Sequence, residues 1–308
     1  MEIGVVLVTF NRIEKLKAAL MHYDEQILKP KYIMIVDNCS TDGTKEFLET
    51  WKKESSEYEK EVITLDRNTG GAGGFYAGME HAIEKNADWI WLSDDDAYPR
   101  KNAFDEISNY YEKLTQNEKD AIVSLCAAVY NDGKVHVDHR EHMQVTKFKC
   151  RMFPSTLEEY KKKAFELDVF SYVGVVIKKE ALLRAGLDEK DYFIYCDDQE
   201  HSIRLRKFGK IICVPSSIVD HDTKPFNKNV LNWGRYYKRR NDLLMIKKNF
   251  PYRYFLLRFI RRYIGEVSIF SGYPKEYRKI HRAAFKDALL NKKGCHKIYK
   301  PGWQPESK

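Results

Sequence analysis

The sequence lacks the marks of several large protein classes. It has six cysteines in 308 residues. None of Cys39, Cys126, Cys150, Cys196, Cys213 and Cys295 stands in C-x-x-C spacing, which speaks against a zinc site. No run approaches the roughly 18 apolar residues of a spanning helix. A chain that crosses a membrane is therefore not expected, although one that lies on its surface is allowed. No leader-like segment precedes the first strand-like run, and reduced thiols in a cytoplasmic protein are the simplest expectation. Internal repeats and low-complexity tracts are missing as well. The glycine run at 70–74 is not followed by Gly-Lys-Ser/Thr. A G-x-G-x-x-G reading from Gly71 meets Tyr76 in its last place. Neither a P-loop nor a dinucleotide fingerprint is present.

What is there describes an ordinary globular chain with a basic balance. Hydrophobic residues make up 43% and charged residues 32%, enough for a sizeable core and too apolar for wholesale disorder. Aromatics reach 13%, with 20 Tyr and 16 Phe; such side chains fill cores and also line sugar and membrane-interface surfaces. The net charge of +8 suits an anionic partner: nucleic acid, acidic lipid or a phosphate-bearing substrate.

The first third of the chain alternates strand and helix. Ile3 to Thr9 and Tyr32 to Asp37 are short β-branched apolar runs that read as buried parallel strands. Asn11 offers a cap for a helix through Leu16, Ala19 and Leu20. The polar turn Asn38 to Gly43 opens a second helix. Val62 to Leu65 is a third strand, and a helix through Met79 and Ala82 follows the glycine run. Trp89 to Leu92 is a fourth strand, stopped by Ser93 and three aspartates. This pattern predicts a parallel α/β sheet whose ligands sit at the carboxyl ends of the strands. Those ends carry Thr9, Asp37, Asp66-Arg67-Asn68 and Asp94 to Asp96. Further strands are expected at 122–129, 135–137, 170–177 and 210–214. Residues 140–168 are polar and basic and have room for a mobile loop, and from Asn232 the chain turns helical and strongly basic.

Several clusters could carry chemistry. Asp94-Asp95-Asp96 follows a hydrophobic strand at the ligand edge. Hard oxygen donors there suit Mn²⁺ or Mg²⁺, which bridge phosphate oxygens; a solvated turn is the plainer alternative. Asp37 can accept hydrogen bonds from a base or ribose, or cap the helix that follows it. Gly70 to Gly74 presents backbone N–H groups at a helix start, an anion cradle or merely a close-packed turn. Asp197-Asp198-Gln199-Glu200 opens a helix, where a carboxylate serves as general base or as a dipole partner. His221, flanked by acids, is a candidate metal ligand.

Together these residues resemble the inverting glycosyltransferases of family 2. The carrying motifs are Val8-Thr-Phe-Asn-Arg12, Val36-Asp-Asn-Cys-Ser-Thr-Asp-Gly43, Asn68-Thr-Gly-Gly-Ala-Gly-Gly-Phe75, Asp94-Asp-Asp96 and Tyr195-Cys-Asp-Asp-Gln-Glu200. They occur in the family's order over residues 1–225. With Trp233-Gly-Arg-Tyr-Tyr-Lys-Arg-Arg-Asn241, they look most like the bacterial galactofuranosyl- and rhamnosyltransferase branch. The resemblance implies a GT-A fold: a Rossmann-like, mostly parallel sheet flanked by helices over 1–225. It would comprise a nucleotide-binding half (1–120) and an acceptor half (121–225), with a helical, basic extension over 226–308. It also implies roles. Thr9 and Asp37 would contact the nucleobase, and Arg12 and Arg67 would lie near the nucleotide. Asn68, Gly71 and Asp95 would lie toward the donor. Asp94, Asp96 and His221 would hold Mn²⁺ or Mg²⁺, and Asp198 would be the base. The implied donor is UDP-galactofuranose, with dTDP-rhamnose second. The implied acceptor is a glycan or lipid-linked glycan of the cell surface.

The tail segment Tyr252 to Tyr263 mixes cations with aromatics. It can lie in an anionic membrane interface on the inner face of the cell membrane, or pack on the catalytic domain with its arginines turned outward. The helix around Trp233 to Lys248 could join copies of the chain. A nucleic-acid-binding protein is the rival that the net charge suggests. Against it, the basic residues cluster in the tail while the expected ligand edge is acidic, so no nucleic acid is expected. A non-catalytic nucleotide-sugar-binding protein is the other alternative, and the full set of acids speaks against it.

Overall fold

A computed structural model describes residues 1–223 and 230–305. Chain order runs β1 (Ile3–Thr9), α1 (Ile13–Asp24), β2 (Tyr32–Asp37), α2 (Thr44–Trp51), β3 (Glu59–Thr64), α3 (Gly70–Ala82) and β4 (Trp89–Asp94). It continues through β5 (Ala97–Pro99), α4 (Ala103–Glu112), α5 (Gln116–Ala121), β6 (Ile122–Asn131), β7 (Lys134–Val135), β8 (Arg140–Val145) and β9 (Cys150–Pro154). Next are β10 (Phe165–Leu167), β11 (Val169–Phe170), β12 (Val175–Lys178), α6 (Lys179–Ala185), α7 (Asp197–Leu205) and β13 (Lys210–His221). The tail holds α8 (Gly234–Asn249), α9 (Tyr252–Glu266) and α10 (Lys275–Leu289).

The main sheet runs β10-β13-β6-β12-β4-β1-β2-β3. Strands β3, β2, β1 and β4 are mutually parallel, as are β13 and β6, while β12 is antiparallel to both β4 and β6. The mostly parallel α/β reading therefore holds. Every residue of β1 and β2 is buried, because helices cover both faces. Alternate side chains feed separate cores. Val5 and Leu7 join Ile33, Ile35 and Trp91 on one face, and Val6 and Val8 join Met34, Val36 and Ile90 on the other. Strand order turns back between β1 and β4, since β2 and β3 lie on the far side of β1. That switch point opens the crevice in which such sheets bind ligands.

Three local expectations change. Residues 140–168 are ordered: β8, β9 and β11 form a separate three-stranded sheet. Most of its residues are exposed or half-buried, which accounts for the segment's polarity. Fully buried Arg140 ties that sheet to the main one. Its guanidinium donates to the carbonyls of Ala127 (3.0 Å), His139 (2.8 Å), Ser171 (3.3 Å), Val173 (2.7 Å) and Gly174 (3.1 Å). Of the strand expected at 135–137 only Val135 pairs, opposite Tyr130, with Lys134 before it. Asn11 does not cap α1. It sits at φ 52 with its Oδ1 accepting from Thr41 N at 2.6 Å, and Asp42 Oδ2 caps Ile13 N at 3.0 Å from the neighbouring loop.

The tail packs against the first part of the chain. α8 buries Leu243, Leu244, Met245 and Ile246 in one core with Ala72, Tyr192, Cys196 and Ile203. The helix expected to join copies thus spends its apolar face inside the chain. The domain boundary expected at 225/226 lies outside the described residues.

Replacing Arg140 with Leu removes the guanidinium and strands five carbonyl contacts. At roughly 1–3 kcal/mol per buried group left unsatisfied, urea denaturation should show a loss of at least about 3 kcal/mol. A loss below about 1 kcal/mol would mean that the two sheets do not depend on it.

Candidate active site

The switch point gathers a first acidic cluster. β4 delivers Asp94, and the chain turns at Asp95 and Asp96 into β5. β5 pairs antiparallel with the end of β13, with His221 opposite Ala97. This register sets His221 beside Asp96, Nε2 to Oδ1 at 3.4 Å. Asp222 N donates to Asp96 O at 2.8 Å, and Asn131 Nδ2 donates to His221 O at 2.8 Å. Asp94, Asp96 and His221 each offer a ligand atom, all within 4.8 Å of one another. The sequence motifs had brought the same three together.

Like charges this close repel, and the structure answers with cations. Arg12 reaches Asp95 Oδ1 at 3.1 Å and Asp96 Oδ2 at 2.7 Å, and Lys15 reaches Asp96 at 3.3 Å. Burial alone would raise Asp96, but the His221 ring, Arg12 and Lys15 outweigh it and hold its carboxyl at about 2. Burial pushes Asp95 up to about 6, against the pull of Arg12 and the Thr9 hydroxyl. Burial, then Asp96 and Asp95, drive Asp94 well above the carboxylate range. A divalent cation fits this donor set. Asp94 needs a positive neighbour to ionise, two carboxylates and an imidazole match Mn²⁺, and buried His221 Nδ1 has no hydrogen-bond partner.

The expected donor residues separate into two groups. Thr9 Oγ1 donates to Asp95 Oδ2 at 2.7 Å, so its hydroxyl orients that carboxylate. Buried Asp37 accepts from Ser40 N at 3.0 Å through Oδ1, and its Oδ2 has no partner; an unsatisfied carboxylate oxygen is a ready acceptor for a ligand N–H or O–H. Arg67 is exposed beyond β3. Asn68 Oδ1 accepts from Gly70 N at 2.8 Å, making it a structural cap of α3.

The glycine run is mostly a packing device. Gly70 N is taken by Asn68, and Ala72 N donates to Phe193 O at 3.2 Å, so the anion cradle expected there has lost two of its first three donors. A Cβ on Gly74 would lie 2.5 Å from Val8, so glycine lets α3 lie flat on β1. A Cβ on Gly70, at φ +75, would lie 1.9 Å from Phe193 O. Only at Gly71 does a Cβ meet nothing within 4 Å, which leaves it facing open space.

A second acidic cluster stands at the start of α7. Asp198 Oδ1 accepts from Gln199 N at 2.7 Å, and burial followed by the charge of Asp197 raises its carboxyl well above the usual range. Asp197 is raised to about 6 by burial. Asp188, which no motif singled out, is driven higher by burial and by Asp197. Its buried Oδ2 has no hydrogen-bond partner. Glu200 is spent on structure, binding Arg204 at 2.8 Å and Lys248 at 2.9 Å. The clusters are near neighbours, since the charge of Asp197 also raises Asp94.

The segment before α7 is bent by three non-glycine residues at positive φ: Phe193 (70), Tyr195 (67) and Cys196 (64). Such conformations cost energy and need outside support. α8 provides it. Asn241 Nδ2 donates to the carbonyls of Tyr192, Ile194 and Tyr195, each at 2.9 Å, and Arg240 donates to Tyr192 O at 2.9 Å. The motif ending in Asn241 flagged these residues without giving their task.

Residues 4–185 match the model of Glycosyl transferase family 2. Galactofuranosyltransferase GlfT1 of Mycolicibacterium smegmatis is 43% identical over 94 residues, 30% of each chain. The match thus spans under a third of that relative's length. The dTDP-rhamnosyl transferase RfbF of Shigella flexneri is 26% identical over 264 residues, 80% of each chain. The structure of S. aureus TarS 1–349 in complex with UDP-GlcNAc superposes with a TM-score of 0.61 at 14% identity, covering 94% of this chain and 82% of that one. GalNAc-T7 with UDP, GalNAc and Mn²⁺ gives 0.60 at 16% identity, covering 94% and 56%. The fold is thereby GT-A.

Substituting Asn241 with Leu removes the amide that makes these three contacts while keeping the side chain's size. Amide exchange over residues 192–200 should speed up by at least about tenfold, with β1 and β2 unchanged. Unchanged exchange in 192–200 would show that α8 does not hold the turn.

Proposed function

The chain belongs to glycosyl transferase family 2, and on that premise we propose that it moves a sugar from a nucleoside-diphosphate sugar to an acceptor hydroxyl, inverting the anomeric carbon. One observation carries this reading: Asp94, Asp96 and His221 converge within 4.8 Å at the switch point of the sheet, with a buried carboxylate of raised proton affinity close by in Asp198.

The residues divide the work. Asp37 Oδ2 accepts from the base or ribose, and Arg12 stands beside Asp95 and Asp96 where the phosphates arrive. Asp94, Asp96 and His221 would hold Mn²⁺ or Mg²⁺. Such a cation supplies Lewis-acid stabilisation of the charge that collects on the departing diphosphate. Asp198 takes the acceptor's proton as its oxygen bonds to the anomeric carbon from the face opposite the leaving group. A raised proton affinity suits that task. Asp95, set by Thr9 and Arg12, faces the donor, and Gly71 leaves room above α3. Arg67, exposed at the same edge, reaches the nucleotide only if its side chain folds inward.

UDP-galactofuranose is the donor put first, supported by the 43% identity to the galactofuranosyltransferase over 94 residues. dTDP-rhamnose is second, supported by the 80% coverage of the rhamnosyl transferase. The acceptor is read as a glycan or lipid-linked glycan in cell-surface polysaccharide synthesis. No helix among the described residues is long and apolar enough to cross a membrane. Exposed Leu256, Leu257, Ile260 and Ile264 on α9, interleaved with arginines, support peripheral contact with an anionic membrane, placed on its inner face.

Asp94→Ala and Asp96→Ala should each lose Mn²⁺-dependent UDP binding in calorimetry and lower transfer by at least about 100-fold. Full turnover in both would remove the metal assignment. Asp198→Asn should bind UDP normally and lose about 100- to 10,000-fold in transfer. Normal transfer would place the base elsewhere, and an NMR spectrum showing a retained anomeric configuration would refute single displacement.

A further inference from the structure

A row of imidazoles backs the first acidic cluster, and the transfer reading uses only the first of them. His221 is the one ligand of the set that is not a carboxylate, and its ring has two ways to face. Its Nε2 lies 3.4 Å from Asp96, and its buried Nδ1 has no hydrogen-bond partner among the described residues. A metal-binding histidine ordinarily donates its second N–H to a carbonyl or carboxylate, which fixes the ring and leaves one nitrogen for the metal. That bond is missing here. The main chain is held, since Asn131 Nδ2 donates to His221 O at 2.8 Å. No hydrogen bond of Nδ1 opposes a turn of the ring about its Cβ–Cγ bond, and such a turn would carry Nε2 away from Asp96.

A second imidazole takes over that task. The chain folds back after β6: β7 pairs with the end of that strand, and His136 N donates to Val129 O at 2.8 Å. β6 runs beside β13, whose last residue is His221, so the returning segment meets the His221 ring. One turn of 3-10 helix, Val137–His139, brings His139 against it edge to face, with ring centroids 5.1 Å apart and planes at 76°. In this arrangement the positive edge of one ring meets the negative face of the other.

His139 is itself held at both ring nitrogens and at its carbonyl. Its Nδ1 shares a hydrogen bond with Ser171 Oγ at 2.6 Å, and its Nε2 shares one with His136 Nδ1 at 3.1 Å. Either tautomer makes both bonds, and turning the ring breaks both. Its carbonyl accepts from Ser171 N at 3.1 Å and from Arg140 at 2.8 Å. The buried arginine that joins the two sheets therefore also fixes this residue. A ring with no anchor of its own on the far side lies against a ring that is anchored twice.

We infer that His139 is a positioning residue for the metal site: its pinned ring holds the His221 imidazole with Nε2 turned toward the aspartates. The inference rests on the reading of Asp94, Asp96 and His221 as the metal ligands. His139 offers no ligand atom of its own to that set, so its influence passes through His221.

The test separates the ring from its hydrogen bonds. His139→Phe keeps a ring in the slot and gives up the bonds to Ser171 and His136. His139→Gln keeps polar atoms for those bonds and has no ring. Mn²⁺ is titrated calorimetrically into the full chain saturated with UDP. His139→Gln should bind Mn²⁺ at least about tenfold more weakly than the wild type, as loss of an outer-shell partner does, and His139→Phe should stay within about threefold of it. Pulsed EPR at saturating Mn²⁺ adds the echo modulation of a nitrogen bound to the metal, which should be present in the wild type and His139→Phe and weakened or lost in His139→Gln. Thermal unfolding checks that each variant is folded, and His139→Leu, bulky but ringless, replaces His139→Gln if that variant is not. Wild-type affinity with full nitrogen modulation in the ringless variant would overturn the inference. So would equal losses in His139→Phe and the ringless variant, since the ring would then not be what matters. A wild type that takes up no Mn²⁺, or takes it up without a bound nitrogen, would sink the metal reading and this inference with it. A bound nitrogen that is present in the wild type and survives in the ringless variant would sink this inference alone.

Discussion

Mutual repulsion among carboxylates is the constraint that the rest of this molecule answers. Two acids about 4 Å apart cost on the order of 4 kcal/mol at the effective dielectric of a partly buried site. Asp94, Asp95 and Asp96 stand in a row, and Asp188, Asp197 and Asp198 crowd the start of α7 close by. The first group is met by Arg12, Lys15 and His221. In the second, burial and the neighbouring carboxylates raise the proton affinity of all three groups. This division matches the two tasks of the proposed transfer: one cluster holds positive charge against a diphosphate, and the other keeps a carboxyl ready to exchange a proton.

The second constraint is mechanical. A bend through three left-handed residues places Asp197 and Asp198 at the start of α7. That bend is held from α3 by the bond between Ala72 N and Phe193 O, and from α8 by Asn241 and Arg240. The basic tail is thus part of the frame of the site.

Much of this was legible in the sequence, because hydrophobic runs that end in acids report both a buried strand and its ligand edge. β1, β2 and β4 lie where their apolar runs predict, and Asp94, Asp96 and His221 meet as their motifs imply. What stayed hidden depends on partners distant in the chain. The cap of α1 comes from Asp42, not from adjacent Asn11. The glycine run reads as a cradle by composition, yet its first N–H groups are consumed by Asn68 and Phe193. The polar stretch 140–168 supplies two strands of a small sheet that a single buried arginine ties to the main one, a role that no spacing rule marks. Asp188 follows a helix-ending glycine with no local signal, and only burial beside Asp197 gives it chemistry.

The account stands most directly on where a divalent cation binds when the nucleotide is present. Crystals grown with UDP and MnCl₂, measured for anomalous scattering at the manganese edge, would show it. The account predicts one strong peak within coordination distance of Asp94, Asp96 and His221 and in contact with the diphosphate. A peak at Asp188, Asp197 and Asp198 instead, or well-ordered UDP with no peak at all, would contradict it.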